Sequence, residues 1–206
     1  MATLRAMHHQ RLLPLISLLA GLTATLIGTL ASPAGVAATT EPAGNPRVRL
    51  ETSLGNIDIE LYPDKAPKSV ANFLALVDDG FYDGLIFHRV VAGFVIQAGG
   101  YDAALTYRDP PGTVVNESGN GLSNQKYSVA MARLADPDSA DTQFYINVKH
   151  NPHLDGSRVQ PGYTVFGQVI AGQEVVHEIE LVDTRLEAGM AGVPETDVVI
   201  VRAHRL

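Results

Sequence analysis

From residue 48 onward the chain is a succession of short apolar segments separated by turns, and this pattern restricts the possible folds more than any other feature. Ile57, Ile59 and Leu61 alternate with acidic residues, the period of two that predicts a strand with one buried face. Similar short segments recur at 85–87, 94–96, 129–132, 144–148, 165–169 and 198–201. About eight short strands joined by turns favour a closed β-barrel or a β-sandwich, and propensity alone does not choose between them.

Two segments have helical periodicity instead. In 67–79 apolar residues recur at positions i, i+3, i+4 and i+7, which form one face of a helix. Pro67 suits the first helical position and Gly80 suits the C-terminal cap. Val175, Ile179 and Val182 recur at positions i, i+4 and i+7 and indicate a second, shorter helix. We therefore predict two helices, one near each end of a mainly β domain.

The first 38 residues have the three-part layout of a secretory signal peptide. Arg5 and Arg11 precede an uncharged apolar run over 12–30, and small residues end at Ala38. We predict that residues 1–38 are a signal peptide cleaved after Ala38 and that the protein is exported.

The remaining chain divides into a flexible lead-in over 39–46 and one domain over 47–206. An uncleaved membrane anchor is the alternative for the N-terminus, because the apolar run is about long enough to span a bilayer. Pro14, Gly21 and Gly28 weaken that alternative. In the cleaved form we expect no membrane association.

Composition excludes several classes of function. The chain has no cysteine, which excludes disulfides, thiol nucleophiles and cysteine metal sites. Its net charge is −7, and it becomes −9 without Arg5 and Arg11, the only charged residues of 1–38. Such an acidic domain is a poor nucleic-acid binder, since phosphate contacts need clustered basic residues.

The sequence contains neither a phosphate-binding glycine loop nor a serine-hydrolase elbow. His150 and His153 are a candidate metal pair, but Pro152 between them prevents a shared helix face. Asp136, Asp138 and Asp141 cluster without the glycine of a calcium loop. We predict no metal and no cofactor.

The segment 87–100, FHRVVAGFVIQAGG, places an arginine and a glutamine among apolar strand residues. On composition alone, a snorkelling arginine and an edge glutamine explain it. The segment resembles the signature of the cyclophilins, a family of peptidyl-prolyl cis-trans isomerases. Further motifs of that family follow the same order: FYDG at 81–84, SVAMAR at 128–133, DTQFYI at 141–146, LDG at 154–156 and VFG at 165–167.

The resemblance runs from about residue 48 to 203 and is closest to the bacterial exported members, which implies the periplasm. It implies an eight-stranded antiparallel closed β-barrel capped by two α-helices. It also implies an enzyme that isomerises Xaa-Pro bonds of unfolded or folding polypeptides without a cofactor. We expect a monomer, since no heptad or long exposed apolar run appears.

The resemblance assigns a catalytic set of Arg89, Phe94 and Gln97, in which the glutamine supports the arginine. It assigns substrate binding to Val95, Ala132, Arg133, Gln143, Tyr145, His153, Leu154 and Tyr163. Five of these differ from the family's usual residue: Val95 for Met, Arg133 for Asn, Tyr145 for Phe, His153 for Trp and Tyr163 for His. Because His153 lacks the indole that helps to hold cyclosporin, we expect weak cyclosporin binding.

The chemistry of amide rotation suits these residues. The barrier is about 18–20 kcal/mol because the C–N bond is partly double, and no covalent step is needed to cross it. An enzyme must stabilise a twisted amide, and the rigid, permanently charged fork of Arg89 is suited to donate hydrogen bonds to it. The alternative function is a proline-binding module or holdase chaperone without significant turnover.

Overall fold

The computed structural model describes residues 44–157 and 159–206. The predicted signal peptide at 1–38 and residues 39–43 of the lead-in lie outside the described residues. Within the described part, no helix is long and apolar enough to cross a membrane.

The described chain has ten strands, two helices and one short 3₁₀ turn. Eight strands form one antiparallel sheet in the order β10-β1-β2-β7-β5-β6-β4-β3, and β8 and β9 form a separate hairpin. The strands are β1 (Arg47–Thr52), β2 (Gly55–Leu61), β3 (Arg89–Val91), β4 (Val95–Ala98), β5 (Ser128–Met131), β6 (Phe144–Asn147), β7 (Val165–Ala171), β8 (Thr184–Glu187), β9 (Met190–Pro194) and β10 (Ile200–Arg205). The helices are α1 (Pro67–Asp78) and α2 (Gln173–Glu180), and the 3₁₀ turn is Pro152–Leu154.

The mainly β fold with two helices is confirmed, but the closed barrel is not. β3 and β10 are the two edges of an open, curled sheet. Segment 85–87, predicted as a strand, forms only isolated bridges, one of them between Ile86 and Val199 just before β10. β3 has only three residues, and irregular backbone at 87–88 separates it from that bridge, so no continuous ladder joins the two edges.

The two predicted helices and the β1–β2 hairpin are confirmed. Pro67 opens α1, and Val70, Phe73, Leu74 and Val77 are buried along the predicted stripe. The β8–β9 hairpin has no counterpart in the sequence prediction, because β8 alternates only between exposed and half-buried residues.

Alternation along the central strands separates the main core from a smaller apolar cluster. Phe144 and Ile146 of β6 belong to the main core, whereas Tyr145 between them belongs to the smaller cluster. Val129 and Ala130 of β5 divide in the same way. Because successive strand residues point to opposite faces, the smaller cluster lies on the sheet face away from the core. This face carries the candidate site.

Candidate active site

A pocket of about 170 Å³ lies on this outer face. Nine of the eleven residues predicted as catalytic or substrate-binding line it: Arg89, Phe94, Val95, Gln97, Ala132, Arg133, Tyr145, Leu154 and Tyr163. The other two, Gln143 and His153, contact residues of that lining. The structure therefore brings together residues separated by up to 74 positions along the chain.

Strand register holds the arginine beside its predicted partner. β3 and β4 pair so that Arg89 lies directly opposite Gln97. Arg89 Nη1 donates to Gln97 Oε1 at 3.2 Å, and Gln97 Nε2 donates to Gln143 Oε1 at 3.0 Å. The Arg89 guanidinium carbon is also 5.9 Å from the centre of the Phe94 ring. Two amides and an aromatic face thus restrain the guanidinium at the pocket.

A tight turn at Gly93 joins β3 to β4 and maintains the register between them. Gly93 has φ +65°, a conformation that a glycine adopts without steric cost. The Phe94 N–H donates to the Val91 carbonyl at 3.0 Å and closes the turn. Arg89 and Gln97, eight residues apart, consequently meet on one face.

Apolar side chains form the floor and walls of the pocket. Val95 and Tyr145 are 2% and 4% exposed, whereas Phe94 and Leu154 are partly buried against the same cluster. His153 stacks on the Phe94 ring with 5.6 Å between ring centres and 19° between planes. The pocket can therefore enclose a small apolar ring while leaving one side open to a peptide chain.

The hydroxyl of Tyr145 has a buried partner. It donates to Asn124 Oδ1 at 2.8 Å, and burial raises the pKa of the phenol above its usual value. The Tyr163 ring meets the Tyr145 ring edge-on, with 5.8 Å between ring centres. The extra hydroxyl at position 145 points away from the apolar pocket into a polar layer.

Arg133 joins two loops at the opposite wall. Its Nε donates to the Gly162 carbonyl at 3.1 Å and its Nη2 to the Pro161 carbonyl at 2.9 Å. Its Nη1 donates to the Leu134 carbonyl at 2.9 Å, and its guanidinium carbon is 4.7 Å from the centre of the Tyr163 ring. These contacts fix the wall between the pocket and an adjoining cavity of about 290 Å³.

The lining of the adjoining cavity includes the polar side chains of Ser139, Asp141 and Gln143. It shares Gln97, Ala132 and Arg133 with the pocket, and Gln143, the hydrogen-bond partner of Gln97, also lines it. The side chain of Gln143 packs against Gly100, where any Cβ atom would lie 2.8 Å from it. This cavity is positioned to receive a residue next to one held in the pocket.

Sequence reasoning missed the polar layer beneath the pocket. Asn124, Asn147 and Asn151 are buried there and linked to Asp155 and Tyr145 by hydrogen bonds. In the sequence Asn124 and Asn151 lie in turn-rich stretches and Asn147 lies within the predicted strand 144–148, so nothing marked them as one buried network. The two histidines of the candidate metal pair contact different residues. His150 lies 3.3 Å from the Gln125 amide, whereas His153 stacks on Phe94.

Comparison with known proteins agrees with this geometry. Residues 47–205 match the family model described as cyclophilin type peptidyl-prolyl cis-trans isomerase/CLD. The chain is 45% identical over 157 residues to a peptidyl-prolyl cis-trans isomerase of Acinetobacter baylyi, covering 76% of this chain and 84% of that protein. It is 41% identical over 186 residues to peptidyl-prolyl cis-trans isomerase A of Dickeya dadantii, covering 90% of this chain and 95% of that protein.

Solved structures give the same result. The crystal structure of a cyclophilin type peptidyl-prolyl cis-trans isomerase from Cryptosporidium parvum matches with TM-score 0.66 and 26% identity, covering 79% of this chain and 98% of that chain. A second crystal structure of that protein, in the presence of the dipeptide Ala-Pro, matches with TM-score 0.63 and 27% identity, covering 76% and 96%. With its family match over 47–205 and these relatives, the chain belongs to the cyclophilin-type peptidyl-prolyl cis-trans isomerases.

Proposed function

We propose that this isomerase accelerates rotation about Xaa-Pro bonds in exported polypeptides and thereby assists their folding. The observation that carries the proposal is the 170 Å³ pocket, where apolar walls and one restrained arginine meet. The related Cryptosporidium parvum structure in the presence of Ala-Pro supports a proline-containing peptide as ligand. The N-terminal layout of residues 1–38 supports export and, with the resemblance to bacterial exported members, the periplasm.

In the proposed mechanism the apolar walls hold the proline ring while the preceding residue rotates. Phe94, Val95, Tyr145 and Leu154 grip the ring, and the Arg89 guanidinium donates hydrogen bonds to the amide as it twists and its nitrogen regains a lone pair. Arg133 and Gln143 border the neighbouring cavity and contact the flanking residues. No covalent bond forms or breaks.

The required acceleration is within reach of these groups. Raising the rate from about 0.01 to about 1000 per second lowers the barrier by about 7 kcal/mol. One preorganised donor typically supplies about 3–4 kcal/mol of this. Positioning of the proline ring and exclusion of water supply the remainder.

The test is isomerisation of a short Xaa-Pro peptide by the purified protein and by Arg89→Ala. We expect a fast parent enzyme and at least a 100-fold lower kcat/KM for Arg89→Ala, because the donor to the twisted amide is lost. Arg202→Ala, which removes an exposed arginine on β10, is the matched control and should retain full activity. A parent enzyme no faster than the uncatalysed reaction would instead favour the proline-binding or holdase function.

Export and inhibitor binding have their own tests. We expect the mature protein to begin at Thr39 in the periplasmic fraction, and an intact N-terminus in the membrane fraction would support the anchor instead. We expect weak inhibition by cyclosporin, because His153 offers a smaller ring than tryptophan. Inhibition as tight as that of a tryptophan-bearing member would contradict this. We further propose that the protein is a monomer, and light scattering during gel filtration tests that state.

A further inference from the structure

Three asparagine side chains beneath the pocket have no part in the proposed mechanism. Asn124, Asn147 and Asn151 are each 0% exposed and lie on the loop before β5, at the end of β6 and before the 3₁₀ turn. Burying an amide is costly unless it is hydrogen-bonded, so three neighbouring buried amides require an explanation.

Asn151 fastens the turn that carries Phe94. Its Nδ2 donates to the Phe94 carbonyl at 3.0 Å and to Asn147 Oδ1 at 2.8 Å. The Val148 N–H donates to the same Phe94 carbonyl at 3.1 Å. The backbone of one pocket wall is thereby attached to the interior of the polar layer.

Asn147 continues the network to the Tyr145 hydroxyl. Its Nδ2 donates to Ser128 Oγ at 2.9 Å and to Asn124 Oδ1 at 3.1 Å. Asn124 Oδ1 also accepts the Tyr145 hydroxyl at 2.8 Å. Asn124 Oδ1 therefore accepts hydrogen bonds both from Tyr145, a pocket wall, and from Asn147, which is itself bonded to Asn151.

Asn124 extends the network to the third wall. Its backbone N–H and its Nδ2 both donate to Asp155 Oδ1, at 2.7 and 2.8 Å. Asp155 directly follows Leu154, the pocket residue at the end of the 3₁₀ turn. The Asn151 N–H donates to the Asn124 carbonyl at 2.8 Å and closes the network.

We propose that Asn124, Asn147 and Asn151 are positioning residues that set the distances between the three walls of the proline pocket. Phe94, Tyr145 and Leu154 belong to a turn, a strand and a 3₁₀ turn, and the three amides join these segments by directional bonds. The proposal rests on the proposed function. Under this proposal, affinity for the proline ring depends on a layer of buried asparagines that does not touch the substrate.

A kinetic signature separates this role from that of Arg89. The pocket walls hold the proline ring in both the ground state and the transition state, whereas the arginine acts on the twisted amide. Loss of uniform binding raises KM and leaves kcat nearly unchanged, whereas loss of a transition-state contact lowers kcat. Variants of the asparagines should therefore weaken binding, and Arg89→Ala should slow turnover.

The experiment measures kcat and KM with a short Xaa-Pro peptide, and its Kd by NMR titration, for Asn124→Ala and Asn151→Ala. We expect KM and Kd to rise about fivefold to tenfold, the loss expected from one buried hydrogen bond, and kcat to change less than threefold. Thr52→Ala is the control: Thr52 Oγ1 donates to the Gly55 carbonyl at 2.6 Å in the β1–β2 turn, away from the pocket. Unchanged KM and Kd in both folded asparagine variants would overturn the proposal.

If an asparagine-to-alanine variant does not fold, Tyr145→Phe provides a second test of the network. Tyr145→Phe removes one hydroxyl and should shift the side-chain amide NMR signals of Asn124, Asn147 and Asn151. In Asn124→Ala the hydroxyl is left unpaired, so adding Tyr145→Phe should lower Kd rather than raise it. Amide signals of Asn147 and Asn151 that do not respond to Tyr145→Phe would contradict a continuous network.

The Kd titration also separates the two possible failures. If the parent protein binds the peptide without turnover, the proposed function fails, but the effect of the asparagines on Kd remains measurable. If turnover is fast and the asparagine variants bind normally, only the network proposal fails.

Discussion

At the scale of single residues, the Arg89 guanidinium is restrained by neutral groups. Its hydrogen-bond partner is the Gln97 amide, and within residues 44–157 and 159–206 no carboxylate lies within 4.0 Å of it. An acidic partner would neutralise the charge that is needed at the substrate. An amide restrains the fork and leaves its charge free to act on a twisted peptide bond.

The neighbouring His88 is buried between the core and the site, with its ring 4.8 Å from that of Tyr101. Burial lowers the pKa of His88 from 6.5 to about 4, because removal of the imidazolium from water disfavours the charged form. The native protein therefore holds a neutral His88 at neutral pH.

This lowered pKa predicts a loss of stability in mild acid. Between pH 6.5 and about pH 4 the unfolded state binds a proton at His88 that the native state does not, so the free energy of unfolding decreases as the pH falls through this window. The decrease from this residue should approach about 3 kcal/mol.

Urea unfolding at several pH values measures the effect, with His88→Gln as the comparison. The variant should lose less stability than the parent between pH 6.5 and pH 4. Direct NMR titration of the His88 ring in the parent protein gives an independent reading, and a native pKa near 6.5 would refute the prediction.

At the scale of elements, α2 supports the turn that carries Phe94. Glu180 Oε1, near the end of α2, accepts the Gly93 N–H at 2.9 Å across 87 residues of sequence. Its other oxygen lies 3.2 Å from the His177 ring nitrogen. Together with the Phe94 N–H bond to Val91, this contact satisfies both successive amides of the turn. The second helix thus contributes to the site although none of its residues lines the pocket.

We expect Glu180→Ala to loosen this turn. Removing the acceptor should lower the free energy of unfolding by about 1 kcal/mol and kcat/KM by about threefold, since a charged acceptor of one backbone N–H is lost. Glu180→Gln retains an oxygen acceptor and should recover most of both quantities. Glu178→Ala, at an exposed position of the same helix, is the control, and equal effects in the two alanine variants would contradict the role of Glu180.

At the scale of the whole molecule, one continuous core joins both helices to the main sheet. Phe73 of α1 lies at its centre, with its ring 5.2 Å from that of Tyr82, 5.4 Å from that of Phe144 and 5.2 Å from that of Phe166. Because these residues come from a helix, a loop and two strands, the elements share the same buried contacts. The open sheet is therefore stabilised by its core as well as by its ladder.

A shared core predicts cooperative unfolding of the described domain. Tyrosine fluorescence and far-UV circular dichroism should report one coincident urea transition. Phe73→Ala should shift both curves together and lower the free energy of unfolding by about 3–5 kcal/mol. Two separated transitions, or a shift in only one probe, would mean that the helices and the sheet unfold independently.

Local pattern was sufficient for much of the fold, whereas the pocket residues were assigned by the family resemblance. Alternation predicted the β1–β2 hairpin, and helical spacing predicted α1 from Pro67, because these signals depend on near neighbours in the chain. The resemblance to the cyclophilins assigned eleven site residues, of which nine line one pocket.

Other features depended on segments distant in sequence. The sequence displayed a tyrosine at 145 without its partner, and only packing brings Asn124 within 2.8 Å of its hydroxyl. The hydrogen bond from the Gly93 N–H to Glu180 likewise joins segments that are distant in sequence. The bridge between Ile86 and Val199, which stands where a closed barrel would need a continuous ladder, is also a contact between distant segments. Sequence periodicity reports which face of an element is apolar, whereas hydrogen bonds between segments depend on the exact distance to which the shared core brings them.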